Sequence, residues 1–329
     1  MEKQKLNEFP DDLIMKILSF LPMFKKTVAT HLISKRWEEP WELVPDVMFE
    51  EDVADGAYES FMSFVYGSLL SRDAHILERL HLKLSRIYSA SDINFLVQIA
   101  VNRGVRKLRI GLYGYTLELP SCLSTCTTLK SLILSEVSIE VVTREFRLPS
   151  LKSLHVLSVE FQGDDDSAVS LLQKCPDLEY LAVYKTILIS TNVRALSTYR
   201  NLKTVIPLKT LIVSEVSIND VPSWFRLPSL KAMHLLSVQF LGKESVAKLL
   251  RICPFLEDLI VKRTGVFNSL WPTVSACRTL KTLILREVSI EVVSPWFCLH
   301  SLKCLHLLSV EFLDDKHDFY KVARFLNIW

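Results

Sequence analysis

One spacing governs most of this chain: an apolar residue, two of any kind, a second apolar residue, one of any kind, and a third apolar residue. It recurs as Leu77/Leu80/Leu82, Val105/Leu108/Ile110, Leu129/Leu132/Leu134, Leu151/Leu154/Val156 and Leu178/Leu181/Val183. The series continues as Leu208/Leu211/Val213, Leu230/Met233/Leu235, Leu256/Leu259/Val261, Leu280/Leu283/Leu285 and Leu302/Leu305/Leu307. Successive frames begin 22 to 30 residues apart. A strand turns alternate side chains to opposite faces, so the fourth and sixth positions of a frame point inward while the third, fifth and seventh point out. No frame buries its apolar residues alone. Each must stack on the next, which is the physical basis of a solenoid.

A longer self-similarity overlies the short one. LKSLILSEVSIEVVTREFRLPSLKSLHVLSVEF (129–161), LKTLIVSEVSINDVPSWFRLPSLKAMHLLSVQF (208–240) and LKTLILREVSIEVVSPWFCLHSLKCLHLLSVEF (280–312) align without a gap. Between strands, DDSAVSLLQKCPDLEYL and GKESVAKLLRICPFLEDL carry helical spacing up to a Cys-Pro that stops the helix. Asp164, Asp165 and Asp166 cap the first of these helices. The order strand, loop, helix implies an α/β repeat fold over residues 77–329. This is a leucine-rich-repeat solenoid of about ten repeats, a right-handed horseshoe with parallel strands on its inner face. LKTVIP (202–207) reads as an insertion that lengthens the sixth repeat. The third long copy lacks the Cys-Pro-x-Leu-Glu strand of the first two, and Phe325, Leu326, Ile328 and Trp329 make a poor polar cap. A truncated C-terminal end is therefore expected.

The N-terminal segment obeys a different rule. In FPDDLIMKILSFLP (9–22), Pro10 suits a first helical turn, Asp11 and Asp12 suit the positive end of a helix dipole, and Pro22 ends the segment. Leu13, Ile14, Met15, Ile17, Leu18, Phe20 and Leu21 cover far more than the stripe of roughly 100° that a one-sided helix needs. Something must therefore cover two sides of it. Residues 25–38 carry a second helical pattern with Val28, Ala29, Leu32, Ile33 and Trp37 on one side, ended by Pro40. DVMFEEDVADG (46–56) reads as an acidic linker, and ESFMSFVYGSLLS as a helix leading into the repeats. The expected organisation is a helical domain over 1–45, a linker and lead-in helix over 46–76, and the solenoid.

Composition narrows the function. A net charge of +2, from 39 basic and 37 acidic residues without a long basic run, leaves no electrostatic footprint for nucleic acid or a membrane surface. The seven cysteines, Cys122, Cys126, Cys175, Cys253, Cys277, Cys298 and Cys304, are odd in number and scattered, which points to reduced thiols and an intracellular location. There is no Gly-x-Ser-x-Gly elbow, phosphate-binding loop or His-Glu-x-x-His helix. No catalytic, cofactor or metal residues are assigned, and the chain reads as a binding protein.

FPDDLIMKILSFLP followed by VATHLISKRWEEPW resembles an F-box. AVNRGVRKLRI, YTLELPSCL, LPSLKSLHVLSVEF and CPFLEDLIVKRT are similar to plant F-box leucine-rich-repeat proteins of the FBD-associated type, here without the C-terminal FBD segment. Phe9 stands where the family has Leu, and Pro40 where it has an apolar residue between the tryptophans. The resemblance implies an SCF-type substrate receptor, whose F-box docks on a Skp-family adaptor and through it a cullin, while the repeats hold an unidentified protein substrate. It places Pro10, Leu13, Ile14, Ile17, Leu18, Leu21 and Pro22 at or beside the adaptor, with Trp37 and Trp41 holding the small domain together. The alternative is a non-ligase scaffold or decoy with a decayed F-box.

On the outward face of the repeats, the candidate substrate residues are His155, Leu157, Tyr180, Tyr184, His234, Leu236, Lys262, Arg286 and His306. The three histidines occupy equivalent positions in near-identical copies, so a consensus inherited by duplication explains them more readily than selection for a ligand.

Overall fold

The computed structural model describes residues 8–21, 24–37, 40–51, 58–70, 77–85, 88–139, 145–161, 171–185, 207–218, 226–240, 245–264, 274, 277–290 and 301–312. They fall into two compact units, Met1–Leu151 and Lys152–Trp329. Pro22, Asp164, Asp165, Asp166, most of the 202–207 insertion and the tail from 313 onward lie outside the described residues.

The first unit opens with α1 (Asp11–Ser19), where the Pro10 carbonyl accepts from the Leu13 and Ile14 amides at 2.9 and 3.1 Å. The second helical pattern does not form one helix. It breaks into α2 (Phe24–Ala29) and 3-10 turns at Thr30–Leu32 and Lys35–Trp37. Thr30 is the breaking point: its hydroxyl donates to the Thr27 carbonyl at 2.6 Å and its own carbonyl accepts from Ile33 three residues on. Pro40 heads a third 3-10 turn, Pro40–Leu43, a first-turn position where its missing N–H costs little. Ile14, Leu18, Trp37 and Val44 form the core of this segment, with Phe9, Met15, Ile17, Leu21 and Ile33 packed around it.

The expected acidic linker is corrected at its start, where Asp46–Glu50 forms strand β1. Val47 and Phe49 point inward and are buried. Asp46 and Glu50, two of the acids that suggest a linker, sit on the other face, where Asp46 pairs with Arg79 at 2.5 Å and Glu50 with Lys83. The sheet thus begins about thirty residues before the first leucine frame, and α2 packs against β1. The lead-in helix forms as α3 (Tyr58–Leu70), followed by β2 (Arg79–Leu84) and α4 (Ala90–Asn102). A capping box between Ser89 and Asp92 starts α4, and Gly104 at φ 69° ends it. β3 (Lys107–Leu117) and β4 (Ser131–Ile139) complete a parallel order β1-β2-β3-β4.

The second unit contains β5 (Ser153–Leu157), β6 (Glu160–Phe161), β7 (Tyr180–Tyr184), β8 (Thr210–Ser214), β9 (Ser217–Ile218), β10 (Ala232–Leu236) and β11 (Gln239–Phe240). Helix α5 (Ser245–Arg251) precedes Cys253 and Pro254, as the spacing predicts, and leads to β12 (Asp258–Lys262). β13 (Thr282–Ile290) and β14 (Cys304–Phe312) follow. The main order, β5-β7-β8-β10-β12-β13-β14, is parallel, and β9 pairs with β11. Strands β5, β7, β8, β10 and β12 all bury their second and fourth residues and leave the first, third and fifth half-exposed. Those are the inward and outward positions of the frame. Both units therefore have the leucine-rich-repeat architecture.

Every frame from the third onward bends at the same place. Two residues past its last apolar position stands a residue with a left-handed backbone: Glu136, Ser158, Lys185, Glu215, Ser237, Arg263, Glu287 and Ser309, at φ from 49° to 56°. None is glycine, although a left-handed residue with a Cβ carries a penalty of about 1–2 kcal/mol. The bend is held from the neighbouring repeat: the amides of Ser158, Lys185, Glu215, Ser237 and Arg263 donate to Tyr184, Ser214, Leu236, Lys262 and Arg286 at 2.7–3.0 Å.

Candidate functional site

Two surfaces stand out, the first on α1. At 100° per residue, Leu13, Ile17 and Phe20 fall on one stripe of the helix and Ile14, Leu18 and Leu21 on the stripe beside it. The second stripe is internal, with Ile14 at 0% and Leu18 at 1% exposure, so these two belong to the domain core and not to a contact surface. Leu13 remains 40% exposed and Phe20 75%, while Ile17 and Leu21 are half-buried and Pro10 is exposed. Leu32 and Leu43, from the 3-10 turns, are also exposed. Phe20, Leu32 and Leu43 are not among the residues that the sequence reading places at the adaptor. The seven-residue step from Leu13 to Phe20 was the available signal, because it returns to the same side of a helix. Trp37 is 2% exposed within the core, and Arg36 beside it reaches Asp11 at 2.8 Å, tying the Ser-Lys-Arg-Trp stretch to the start of α1.

The second surface is the open face of the sheet in unit Lys152–Trp329. Register places His155, Ala182, Ile212, His234, Ile260, Ile284 and His306 in one lateral row across the strands. The next row runs Leu157, Tyr184, Ser214, Leu236, Lys262, Arg286 and Leu308. Tyr180 lies in the row on the other side, with its ring 5.1 Å from that of His155, whose Nε2 is 3.2 Å from the Ser153 hydroxyl. All nine candidate substrate residues thus share one face, although they form a band and not a single cluster. His155, His234 and His306 stand three rungs apart, about 14 Å at the usual strand spacing, too far to share an ion.

Charge on the two units differs. On the first, the Arg79–Asp46 and Lys83–Glu50 pairs flank His81, which is paired in register with Arg109. Burial, with help from the Arg109 and Lys83 cations, pushes the His81 imidazole down to about 4 against the pull of Glu50. On the second, Glu179 accepts from both Lys152 and Lys209, which hold its carboxyl down at about 2, and Glu257 likewise bridges Lys231 and Lys281. These triads occupy the rim of the sheet, outside the two central rows. Cys175 and Cys253 donate from equivalent places to the Leu171 and Leu249 carbonyls, and burial drives both thiols up to about 12. They are structural groups.

The chain is similar in sequence to known proteins. Residues 93–227 match the family model described as FBD-associated F-box protein At5g56370, LRR repeats, and residues 229–254 match that of the Leucine Rich Repeat. An FBD-associated F-box protein of Arabidopsis thaliana, At5g56560, is 62% identical over 185 residues, which is 56% of this chain and 44% of that protein. The chain spans less than half the length of this relative and of At5g56570, of which it covers 40%. Among solved structures, an internalin from Listeria monocytogenes superposes with a TM-score of 0.46 at 16% identity, covering 95% of this chain and 92% of that one. The F-box/FBD/LRR-repeat protein At4g26340 of Arabidopsis thaliana is 32% identical over 291 residues, covering 81% of this chain and 69% of that protein. The chain belongs to the FBD-associated F-box leucine-rich-repeat family.

Proposed function

We propose that this chain is a non-catalytic, intracellular substrate receptor of an SCF-type ubiquitin ligase. The observation that carries the reading is the exposed Leu13 and Phe20 stripe on α1, beside a complete core stripe of Ile14 and Leu18. A helix that has already satisfied its own domain and still presents a large aromatic residue fits the helix-in-groove mode of binding. The groove belongs to a Skp-family adaptor, which brings a cullin, and the open sheet face holds the protein to be modified. Holding a target lysine near a charged conjugating enzyme raises its effective concentration, and the receptor supplies no other chemistry. Pro40 does not argue for a decayed F-box, since it heads a 3-10 turn.

The test is capture of the full chain by a purified Skp-family adaptor, with Leu13→Asp/Phe20→Asp as the control. Covering each of these side chains contributes about 1.5–3 kcal/mol, so the double variant should bind at least 100-fold more weakly while keeping its circular dichroism. A folded wild-type chain that the adaptor ignores would refute the proposal.

A further inference from the structure

The open face of the second sheet is not uniform: among the described residues of its two central rows, charge concentrates where four strands present a matched pair of rows. In one row, register sets Lys262 beside Arg286, with Leu236 before them and Leu308 after. In the row next to it, Ile260 lies beside Ile284, with His234 before and His306 after. Neighbouring rungs are about 4.8 Å apart and the two rows about 7 Å apart along the strands, so one anionic group reaches both cations while its apolar neighbours reach both isoleucines.

The cations are only partly neutralised from within. Lys262 has no carboxylate partner among the described residues. Glu287 accepts from Arg263 at 2.5 Å and from Arg286 at 3.1 Å, so two arginines share this one carboxylate and Lys262 adds a third cation beside them. Asp258 is four residues up the strand from Lys262, about 13 Å away, on the far side of the isoleucine row. Burial holds the His234 imidazole below its ordinary range, with Asp258 opposing, so the patch relies on Lys262 and Arg286 and not on His234 for its charge. The leucine at the far end, Leu308, is 50% exposed, an apolar side chain beside a charge it does not shield.

From this juxtaposition we infer that the patch anchors a linear peptide segment that presents an acidic side chain next to branched apolar ones. The acid is held in the notch between Lys262 and Arg286, and the apolar neighbours lie on Ile260, Ile284 and Leu308. Guanidinium and carboxylate match in planar, two-point geometry, which favours a carboxylate at Arg286 and gives the segment a fixed register on the sheet. The inference rests on the substrate-receptor reading and gives it a substrate class.

The experiment is affinity selection of random linear peptides displayed on phage against the immobilised full chain, followed by titration of the best synthetic peptide. Selected sequences should place Asp or Glu within three residues of Leu, Ile or Val. Binding should fall about tenfold or more when that acid becomes its amide, when Lys262→Glu/Arg286→Glu is introduced, and as salt is raised. Adaptor capture and circular dichroism of the variant should be unchanged. Selection of peptides without acids, no selection at all, or affinity indifferent to the charge reversal would overturn the inference. Self-association of the wild type that the reversal abolishes would reassign the patch to a contact between copies. Adaptor capture separates the two readings, since a chain that selects acidic peptides but ignores the adaptor refutes the ligase proposal and not this one.

Discussion

Phe49 tests whether the F-box segment and the first repeats fold together. Its side chain is 1% exposed, faces Leu82 in the register of β1 on β2, and meets the Phe64 ring edge to face at 6.0 Å. Truncation of a fully buried phenylalanine costs about 3–5 kcal/mol, the transfer term and the cavity together. Three residues earlier on the same strand, Asp46 makes a two-point ion pair with Arg79, at 2.6 and 2.5 Å. The Arg79 side chain is 58% exposed, and an exposed pair contributes about 0–1 kcal/mol. Phe49→Ala should therefore lower stability by several times more than Asp46→Ala. With an m-value of about 3 kcal/mol per molar urea, the loss moves the midpoint by roughly 1–1.7 M. The assay is urea unfolding of the full chain followed by far-UV circular dichroism, with hydrogen exchange at the amides of β1 and β2 to locate the loss. A change below about 1 kcal/mol, or one no larger than that of Asp46→Ala, would show that β1 is not a working part of the sheet and refute the argument. Phe49→Leu, which keeps most of the apolar volume, should fall between the two.

Two further outcomes follow from the geometry. His81 is neutral in the folded protein down to about pH 4 but titrates near its ordinary value when unfolded, so its contribution is complete above about pH 6.5 and is lost as pH falls toward 4. Glu50, Lys83 and Arg109 face it throughout, and His81→Gln should flatten the pH dependence of stability in that window, measured by thermal unfolding. Ser237 holds a left-handed backbone at φ 53°, so Ser237→Val should cost about 1 kcal/mol or more in urea unfolding while Ser237→Gly stays near neutral. Equal effects would show that the bend carries no steric penalty.

The repeats were readable because leucine spacing encodes the strand directly. One leucine column fixes which residues face out, and the lateral rows follow from counting. Strand β1 escaped because its inward pair, Val47 and Phe49, is short and set among acids, and the cations that answer Asp46 and Glu50 lie about thirty residues away in sequence. The break after α2 escaped for another reason: a residue three positions on serves an α-helix and a 3-10 turn alike, so periodicity does not separate them over a few residues. At the candidate contact surface, the resemblance puts Ile14 and Leu18 at or beside the adaptor, whereas both side chains are buried in the domain core. A helix apolar on two adjoining stripes shows that it has two neighbours, but not which stripe faces which.

The recurrent left-handed bend bears on how such a chain changes length. A turn that required glycine would need that residue created at every new seam, whereas here Glu, Ser, Lys and Arg all occupy it, because the next repeat's carbonyl holds the backbone in place. Unequal crossing-over between the near-identical copies can therefore add or delete a rung without inventing a residue at the join. The outward side chains remain free to diverge afterwards, so a genome can multiply distinct outer surfaces on one unchanging backbone.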